Sequence, residues 1–417
     1  MAEFYEPTLY LSTPEHPNTM GMSVTLRDEV DHDILSGVVD DLRRRFPYLY
    51  VRAVVEGDDL VPKANPLPMT VRGTWEPIDL NSKESNLHLG AWKHEGRRLA
   101  FEISHSLTDG AGLLPYFKSA LWLYVSRRYD VSLDREGFRL PGDAIPESEV
   151  GNPFAGLDID GAEEPLYVKE HTTDFLRPSD GSAADSRVTY VRMPEAQVMR
   201  FCRDNDGSPN ALLAVMLARA ARRSESESDK TISVAVAIDH KAMLGNHDNY
   251  RLFASVVELD FASDRALDDL ARACTIARGQ IIAQAQPENS LWALRQRKAN
   301  AERLAQVPLD VKLEAIAKSM SAPRWSMSVS YVSGRSFGPL DPYVEEFYVL
   351  SEPGVTDVVC EVTCINHGFF LAIAQNFSSD GLVDALLEEL SSVGIDCEVR
   401  DRGPLGLCSM APYDVAG

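Results

Sequence analysis

The sequence has no apolar run approaching the roughly 18–20 residues of a membrane span. Its start, Met1-Ala-Glu-Phe-Tyr-Glu-Pro7, carries neither the basic nor the apolar segment of a secretory signal. Both absences predict a cytoplasmic protein with no membrane insertion. Basic residues are scarce: 41 Lys and Arg stand against 63 Asp and Glu, a formal charge of −22 over 417 residues. Such a surface repels nucleic acid and anionic membranes, so neither is expected as a partner, and an anionic co-substrate would need a local basic patch. The six cysteines, at 202, 274, 360, 364, 397 and 408, form no Cys-x-x-Cys pair, and no histidine pair stands at zinc-finger spacing. Core thiols are expected, and no metal site. The Gly-x-x-x-x-Gly-Lys and Gly-x-Gly-x-x-Gly loops of nucleotide folds are missing, and so is the Gly-x-Ser-x-Gly elbow of a serine hydrolase.

What is present is enough apolar material, 44% of residues, to bury a large core in two or three lobes. Met20, Met22, Val24 and Leu26 alternate as a strand, and Asp31 then precedes a helical stripe of Ile34, Leu35, Val38, Val39 and Leu42. Further strands are expected at 50–55 and 98–104, and a helix at 113–129. From about 130 to 185, Pro, Gly and acidic clusters break all periodicity, which reads as a crossover between an N-terminal lobe (1–165) and a C-terminal lobe (166–417). Order resumes with strands at 187–193, 231–238 and 254–261, a helix after Ser208-Pro209, and a helical stretch over 265–319. Strands at 326–332, 347–350, 357–363 and 369–375 and a helix ending at Gly394 complete the pattern. The tail from Asp401 reads as loose. Strands and helices alternate in both halves, so the class is α/β or mixed α+β with two sheet-based lobes.

One junction stands out chemically. Leu99, Phe101 and Ile103 share one face of a strand that runs into His105; Asp109 and Gly110 follow, and a helix opens. A histidine held at the end of a buried strand can take a proton from a hydroxyl or amine near neutral pH. The aspartate can cap the helix. A second junction, Gln375-Asn376-Phe-Ser-Ser-Asp380-Gly381, has the same layout. Aligned on Asp-Gly, Asn376 falls where His105 stands. This is a possible trace of two lobes built on one plan, in which Asp-Gly serves the turn and the histidine, present once, serves chemistry. His240 follows an apolar strand but has no aspartate four residues on, and reads as a loop residue.

His105-x-x-x-Asp109-Gly110 between strand and helix resembles the motif of the CoA-dependent acyltransferases, the superfamily of chloramphenicol acetyltransferase, the plant BAHD enzymes and peptide-synthetase condensation domains. The likeness extends along the chain through Arg45-Phe-Pro-Tyr48, Val236-Ala-Ile-Asp-His-Lys241, Asn249-Tyr-Arg-Leu-Phe253 and Ser330-Tyr-Val-Ser-Gly334, and is strongest to the bacterial alcohol-acetyltransferase-like branch. Ser104 replaces the first histidine of many condensation domains, and the plant Asp-Phe-Gly-Trp-Gly sequence is absent. The resemblance implies two lobes around a tunnel, and transfer of an acyl group from a thioester to a hydroxyl or amine of a small molecule. It implies His105 as the general base, with no permanently bound cofactor and acyl-CoA or acyl-phosphopantetheine as co-substrate. A free-standing condensation-like enzyme fed by an acyl carrier protein, or a non-catalytic binding descendant, are the alternatives. It further implies a structural role for Asp109 and Gly110, with an arginine, Arg251 or Arg335, paired to Asp109. Ser330 is the candidate oxyanion donor, its strand expected to line the same tunnel.

Overall fold

The computed structural model describes residues 8–179, 186–224, 228–263, 265–332 and 336–413. The strand Thr19–Leu26 forms where the sequence alternates, with Met20, Met22, Val24 and Leu26 buried. Asp31 then accepts a hydrogen bond from the Ile34 N–H at 3.0 Å and starts the helix His32–Leu42, whose Leu35, Val38, Val39 and Leu42 face the core. The first large sheet has the spatial order Val344–Ser351, Thr19–Leu26, Arg98–Ser104, Gly90–Glu95, Val71–Arg72. The second runs Ala254–Phe261, Ile232–Asp239, Trp325–Tyr331, Thr356–Ile365, Gly368–Gln375, Arg187–Pro194, Glu398–Pro404. The mixed α/β, two-lobed class expected from the sequence is the class observed.

The two sheets share a plan. In the first, Val344–Ser351, Thr19–Leu26, Arg98–Ser104 and Gly90–Glu95 pair antiparallel in turn, and Val71–Arg72 joins parallel. In the second, Glu398–Pro404, Arg187–Pro194, Gly368–Gln375 and Thr356–Ile365 pair antiparallel in turn, and Trp325–Tyr331 joins parallel. Chain order matches as well. Each lobe runs strand, helix, hairpin, helix, with Gly110–Tyr129 and Gly381–Ser392 as the helices after the hairpins.

In the second lobe the helix Pro209–Ser224 is apolar on nearly every side, because it lies between the sheet and the helices Leu270–Gln284 and Gly381–Ser392. The helical stretch expected over 265–319 is divided into Arg265–Asp268, Leu270–Gln284, Pro287–Leu304 and Leu309–Met320. Five cysteines are buried free thiols and Cys397 is half-buried.

Two features depart from the sequence reading. The division at 165 does not separate the sheets, since Val344–Ser351 supplies the edge strand of the first and Ser409–Met410 pairs with Asp79–Leu80. The tail, as far as residue 413, is also not loose. Glu398–Pro404 is the edge strand of the second sheet, and beyond it Lys93 Nζ donates to the Gly406 carbonyl at 2.7 Å while Glu102 accepts from the Cys408 N–H at 2.7 Å. Lys93 and Glu102 themselves form a buried ion pair at 2.7 Å, so this internal charge pair is what draws the tail onto the first lobe.

Candidate active site

The strand Arg98–Ser104 is buried along nearly its whole length and delivers His105 at the face between the lobes. His105 N–H donates to the Asn18 carbonyl at 2.7 Å, which fixes the backbone. The imidazole Nδ1 lies 2.8 Å from the Thr108 carbonyl oxygen. A carbonyl only accepts, so Nδ1 carries the proton and Nε2 is the nitrogen with the free lone pair. Thr108, fully buried, donates its hydroxyl to the Tyr250 carbonyl of the other lobe at 2.6 Å. His105 and the loop that holds it are thereby tied across the lobe boundary.

Asp109 is almost wholly buried, and both carboxylate oxygens are used. Oδ1 accepts from the Gly112 N–H at 2.8 Å, the helix cap anticipated from sequence, and from Lys241 Nζ at 2.8 Å. Oδ2 accepts from the Phe253 N–H at 3.0 Å. Lys241 has no exposed side-chain surface, and its other two donors go to the Asn249 carbonyl at 2.9 Å and the Arg251 carbonyl at 2.7 Å. All three N–H groups of the ammonium are satisfied, as a buried charge requires.

The expected arginine partner is therefore corrected to Lys241. Arg251 contributes its main-chain carbonyl to Lys241, and its guanidinium turns away to the carbonyls of Val150 and Gly151, pinning the crossover. Arg335 lies outside the described residues. Lys241 stands in the segment Val236–Lys241 that sequence already singled out, directly after a buried strand. That position was the signal available for it.

Gly110 is set by packing: a Cβ there would stand 2.7 Å from Cγ2 of Val332. At Gly112 a Cβ would collide with the Tyr250 carbonyl oxygen, so the first turn of this helix lies directly against the second lobe.

A cavity of about 530 Å³ opens between the sheets and is lined by His105, Gly110 and Ser330 among others. Its floor follows from strand alternation in the second sheet. Val234, Val236, Met327 and Val329 pack into the second-lobe core; the intervening Ala235, Ala237, Ser328 and Ser330 face the cavity. Ser328 pairs with Ala235 on one side and Val359 on the other, and Ser330 pairs with Glu361. Short side chains on that face leave the space unfilled. Ser330 thus lies on the same cavity wall system as His105.

Two further residues of the wall were not visible in sequence. Glu352, just past the strand Val344–Ser351, accepts from the Asn18 N–H at 2.9 Å, and burial pushes its carboxyl up to about 7 against the opposing effect of that N–H. Glu361 accepts from the Ser351 hydroxyl at 2.6 Å. Glu352 reaches the wall because the strand 344–351 leaves its own half of the chain to join the first sheet, whereas Glu361 stands on Thr356–Ile365 of the second sheet, opposite Ser330. His240 is buried, neutral, and held by burial and by the Arg297 charge at a pKa of about 4; it is not among the cavity residues.

Asn376 occupies the counterpart of His105 in the second sheet. Its amide donates to Asp357 Oδ1 at 3.2 Å, and Asp357 is itself held by Arg177 Nε at 2.6 Å.

Neither a family model nor a curated protein matches this chain. Its fold matches solved structures over nearly its full length at low identity. Polyketide synthase associated protein 5 from Mycobacterium tuberculosis is 15% identical with a TM-score of 0.60, covering 94% of this chain and 99% of that one. The first condensation domain of the calcium-dependent antibiotic synthetase, in complex with a substrate analogue, is 11% identical with a TM-score of 0.59, covering 94% and 96%. TRI101 of F. sporotrichioides, complexed with coenzyme A and T-2, is 12% identical with a TM-score of 0.58, covering 95% and 97%. The chain shares the two-lobed fold of these solved structures. Among the described residues no helix is long and apolar enough to cross a membrane.

Proposed function

We propose that this protein is an acyltransferase that moves an acyl group from a thioester, acyl-CoA or acyl-phosphopantetheine on a carrier, to the hydroxyl or amine of a small molecule. The observation that carries this is His105: its Nδ1–H is committed to the Thr108 carbonyl, and the residue lines the cavity between the lobes. Nε2 is then positioned to act as general base on an acceptor in that cavity. The acceptor gives its proton to Nε2 as its oxygen or nitrogen attacks the thioester carbon. The C–S bond breaks, and Nε2–H returns the proton to the departing thiolate. Ser330 Oγ is the proposed donor to the oxyanion. Asp109 takes no proton in this scheme. It holds the His105 loop against Lys241 and Phe253 of the second lobe.

The fold supports this reading, since it is shared with a protein crystallised with coenzyme A and with condensation domains. The test is release of free thiol from a panel of acyl-CoAs and acyl-carrier proteins offered alcohols and amines. Thiol release that depends on an acceptor and disappears in His105→Ala is expected. Acceptor-independent release, or release unaffected in a folded His105→Ala protein, would sink the proposal. Comparing the two donor forms decides between free CoA and a carrier.

A further inference from the structure

Resting on the acyltransferase reading, we infer that the acceptor is an amine that enters as its ammonium, and that Glu352 is the group that receives it. Charge in the cavity is the first ground. Arg324 is the one cation among the cavity-lining residues described, and it is exposed and donates to the Ser319 hydroxyl at 2.7 Å. Among the described residues neither Glu352 nor Glu361 forms an ion pair, whereas Asp109 is neutralised by Lys241. Glu361 is 6% exposed, and its Oε2 is buried without a hydrogen-bond partner. A buried, under-satisfied carboxylate is costly unless a ligand supplies charge or donors. An alcohol brings one donor and no charge; an ammonium brings three donors and the missing charge.

Placement is the second ground. Glu352 and His105 are held by opposite ends of one residue: the Asn18 N–H goes to Glu352 Oε2 and the Asn18 carbonyl takes the His105 N–H. Asn18 is in the left-handed region, φ 49°, with its amide anchored on the Ser106 hydroxyl at 3.4 Å. This arrangement puts the carboxylate and the base on the same wall at a fixed separation, and among the described residues no hydrogen bond engages Glu352 Oε1.

Proton count is the third ground. Making an ester takes one proton from the acceptor, which His105 can pass to the thiolate. Making an amide from an ammonium takes two. The N–C bond forms, the C–S bond breaks, one proton travels through His105 to the thiolate, and the other must leave by a second acceptor. Glu352, whose burial raises its proton affinity, can take that proton and release it to solvent.

Hexylamine, cationic at pH 8, and 1-hexanol are matched probes for this. Binding is followed by ligand-observed NMR titration on wild type, Glu352→Gln and Glu352→Asp, each checked by thermal melt. Hexylamine is expected to bind wild type, to bind Glu352→Gln roughly tenfold or more weakly, and to recover partly in Glu352→Asp. The ratio of kcat/KM for amine over alcohol, from thiol release, should fall by at least the same factor in Glu352→Gln. No binding of hexylamine, or equal binding by wild type and Glu352→Gln, overturns the inference. Acceptor-dependent thiol release that needs His105 and runs on hexanol but not hexylamine overturns it while leaving the acyltransferase reading intact. Glu352-dependent amine binding without any thiol release supports the ligand class and sinks the reaction instead.

Discussion

The junctions at His105 and Asn376 are built on one backbone plan and differ in what that plan is used for. In both, a side-chain N–H reaches the carbonyl just before the aspartate: His105 Nδ1 to Thr108, and Gln375 Nε2 to Ser379 at 2.7 Å. Both loops place a donor at that point, and in the first a histidine supplies it through Nδ1, which leaves Nε2 outside that bond. In the second junction Gln375 takes over the donor role, and Asn376 is tied to Asp357. The aspartates diverge further. Asp109 is buried, caps its helix and binds Lys241; Asp380 is half-buried, makes no side-chain cap and, among the described residues, pairs only at long range, with Arg402 at 3.4 Å and Arg187 at 3.5 Å. The expectation that Asp-Gly recurs because each turn needs a cap holds for one junction only. The recurrence is in the strands; the cavity-lining histidine and the buried aspartate belong to one of the two copies.

Replacing the histidine breaks this contrast most severely. His105→Ala should lower turnover by about 10²–10⁴-fold, as loss of a general base does, with little change in a thermal melt. Asn376→Ala should leave turnover within a few-fold of wild type. Comparable losses in both variants would show that the second junction takes part in the reaction.

The aspartates come next. Asp109→Ala removes one partner of a buried ion pair and strands the Lys241 charge, along with the Gly112 and Phe253 N–H groups, at a cost of about 3–5 kcal/mol. Asp380→Ala should cost no more than about 1 kcal/mol, because its partners stand no closer than 3.4 Å and the group is only half-buried. Urea unfolding of the two variants reads the difference directly. Replacing Asp109 and Lys241 together by apolar residues should recover part of the loss, and a double-mutant cycle showing no coupling would remove Lys241 as the partner.

Glu352, beside the first junction, carries a pH signature of its own. Its folded carboxyl titrates near 7, above its ordinary 4.5, so folding disfavours the charged form. Below pH 4.5 the group is protonated in both states and costs nothing. As pH rises, the unfolded chain ionises first, and stability is lost until the folded group ionises near 7. Glu352→Gln should match wild type near pH 4.5 and exceed it by about 2–4 kcal/mol at pH 8, by urea unfolding across that range. A pH-independent difference would place the glutamate in a better solvated setting.

How much of this was legible in sequence follows distance along the chain. His105, Asp109 and the capped helix after them lie within one strand–helix junction, where alternation and capping rules apply directly. Lys241 lies 132 residues from Asp109 and belongs to a strand end whose composition looks ordinary. The family likeness suggested an arginine, and only the fold shows a lysine with three acceptors arranged round it. Glu352 reaches the cavity because the strand Val344–Ser351 crosses to the other sheet, and Glu361 because Thr356–Ile365 lies beside Trp325–Tyr331, pairings that no local pattern encodes. The strand Gly90–Glu95 has no alternation to find. Lys93 is buried in it against Glu102, so a charged residue occupies an inward position.

The glycines give the smallest and most discriminating comparison. Both stand at the first position of a helix, and neither has a positive φ, so alanine is conformationally acceptable at each. Alanine gains from higher helix propensity and a less flexible unfolded chain, together up to about 1 kcal/mol. At Gly381 the nearest atom to an added Cβ is the Ser379 hydroxyl at 3.4 Å, an ordinary contact, so Gly381→Ala should stabilise by about 0.5–1 kcal/mol. At Gly110 the Cβ would stand 2.7 Å from Val332 Cγ2, and a β-branched side chain has little freedom to swing away. Overpacking there should outweigh the gain and leave Gly110→Ala destabilised by about 1 kcal/mol, with turnover falling as the helix shifts beside His105. Shortening the neighbour separates the two effects. In a Val332→Ala background, Gly110→Ala should become neutral or stabilising, as Gly381→Ala is. If it stays destabilising there, the glycine is required by the backbone of the motif and the contact with Val332 is incidental.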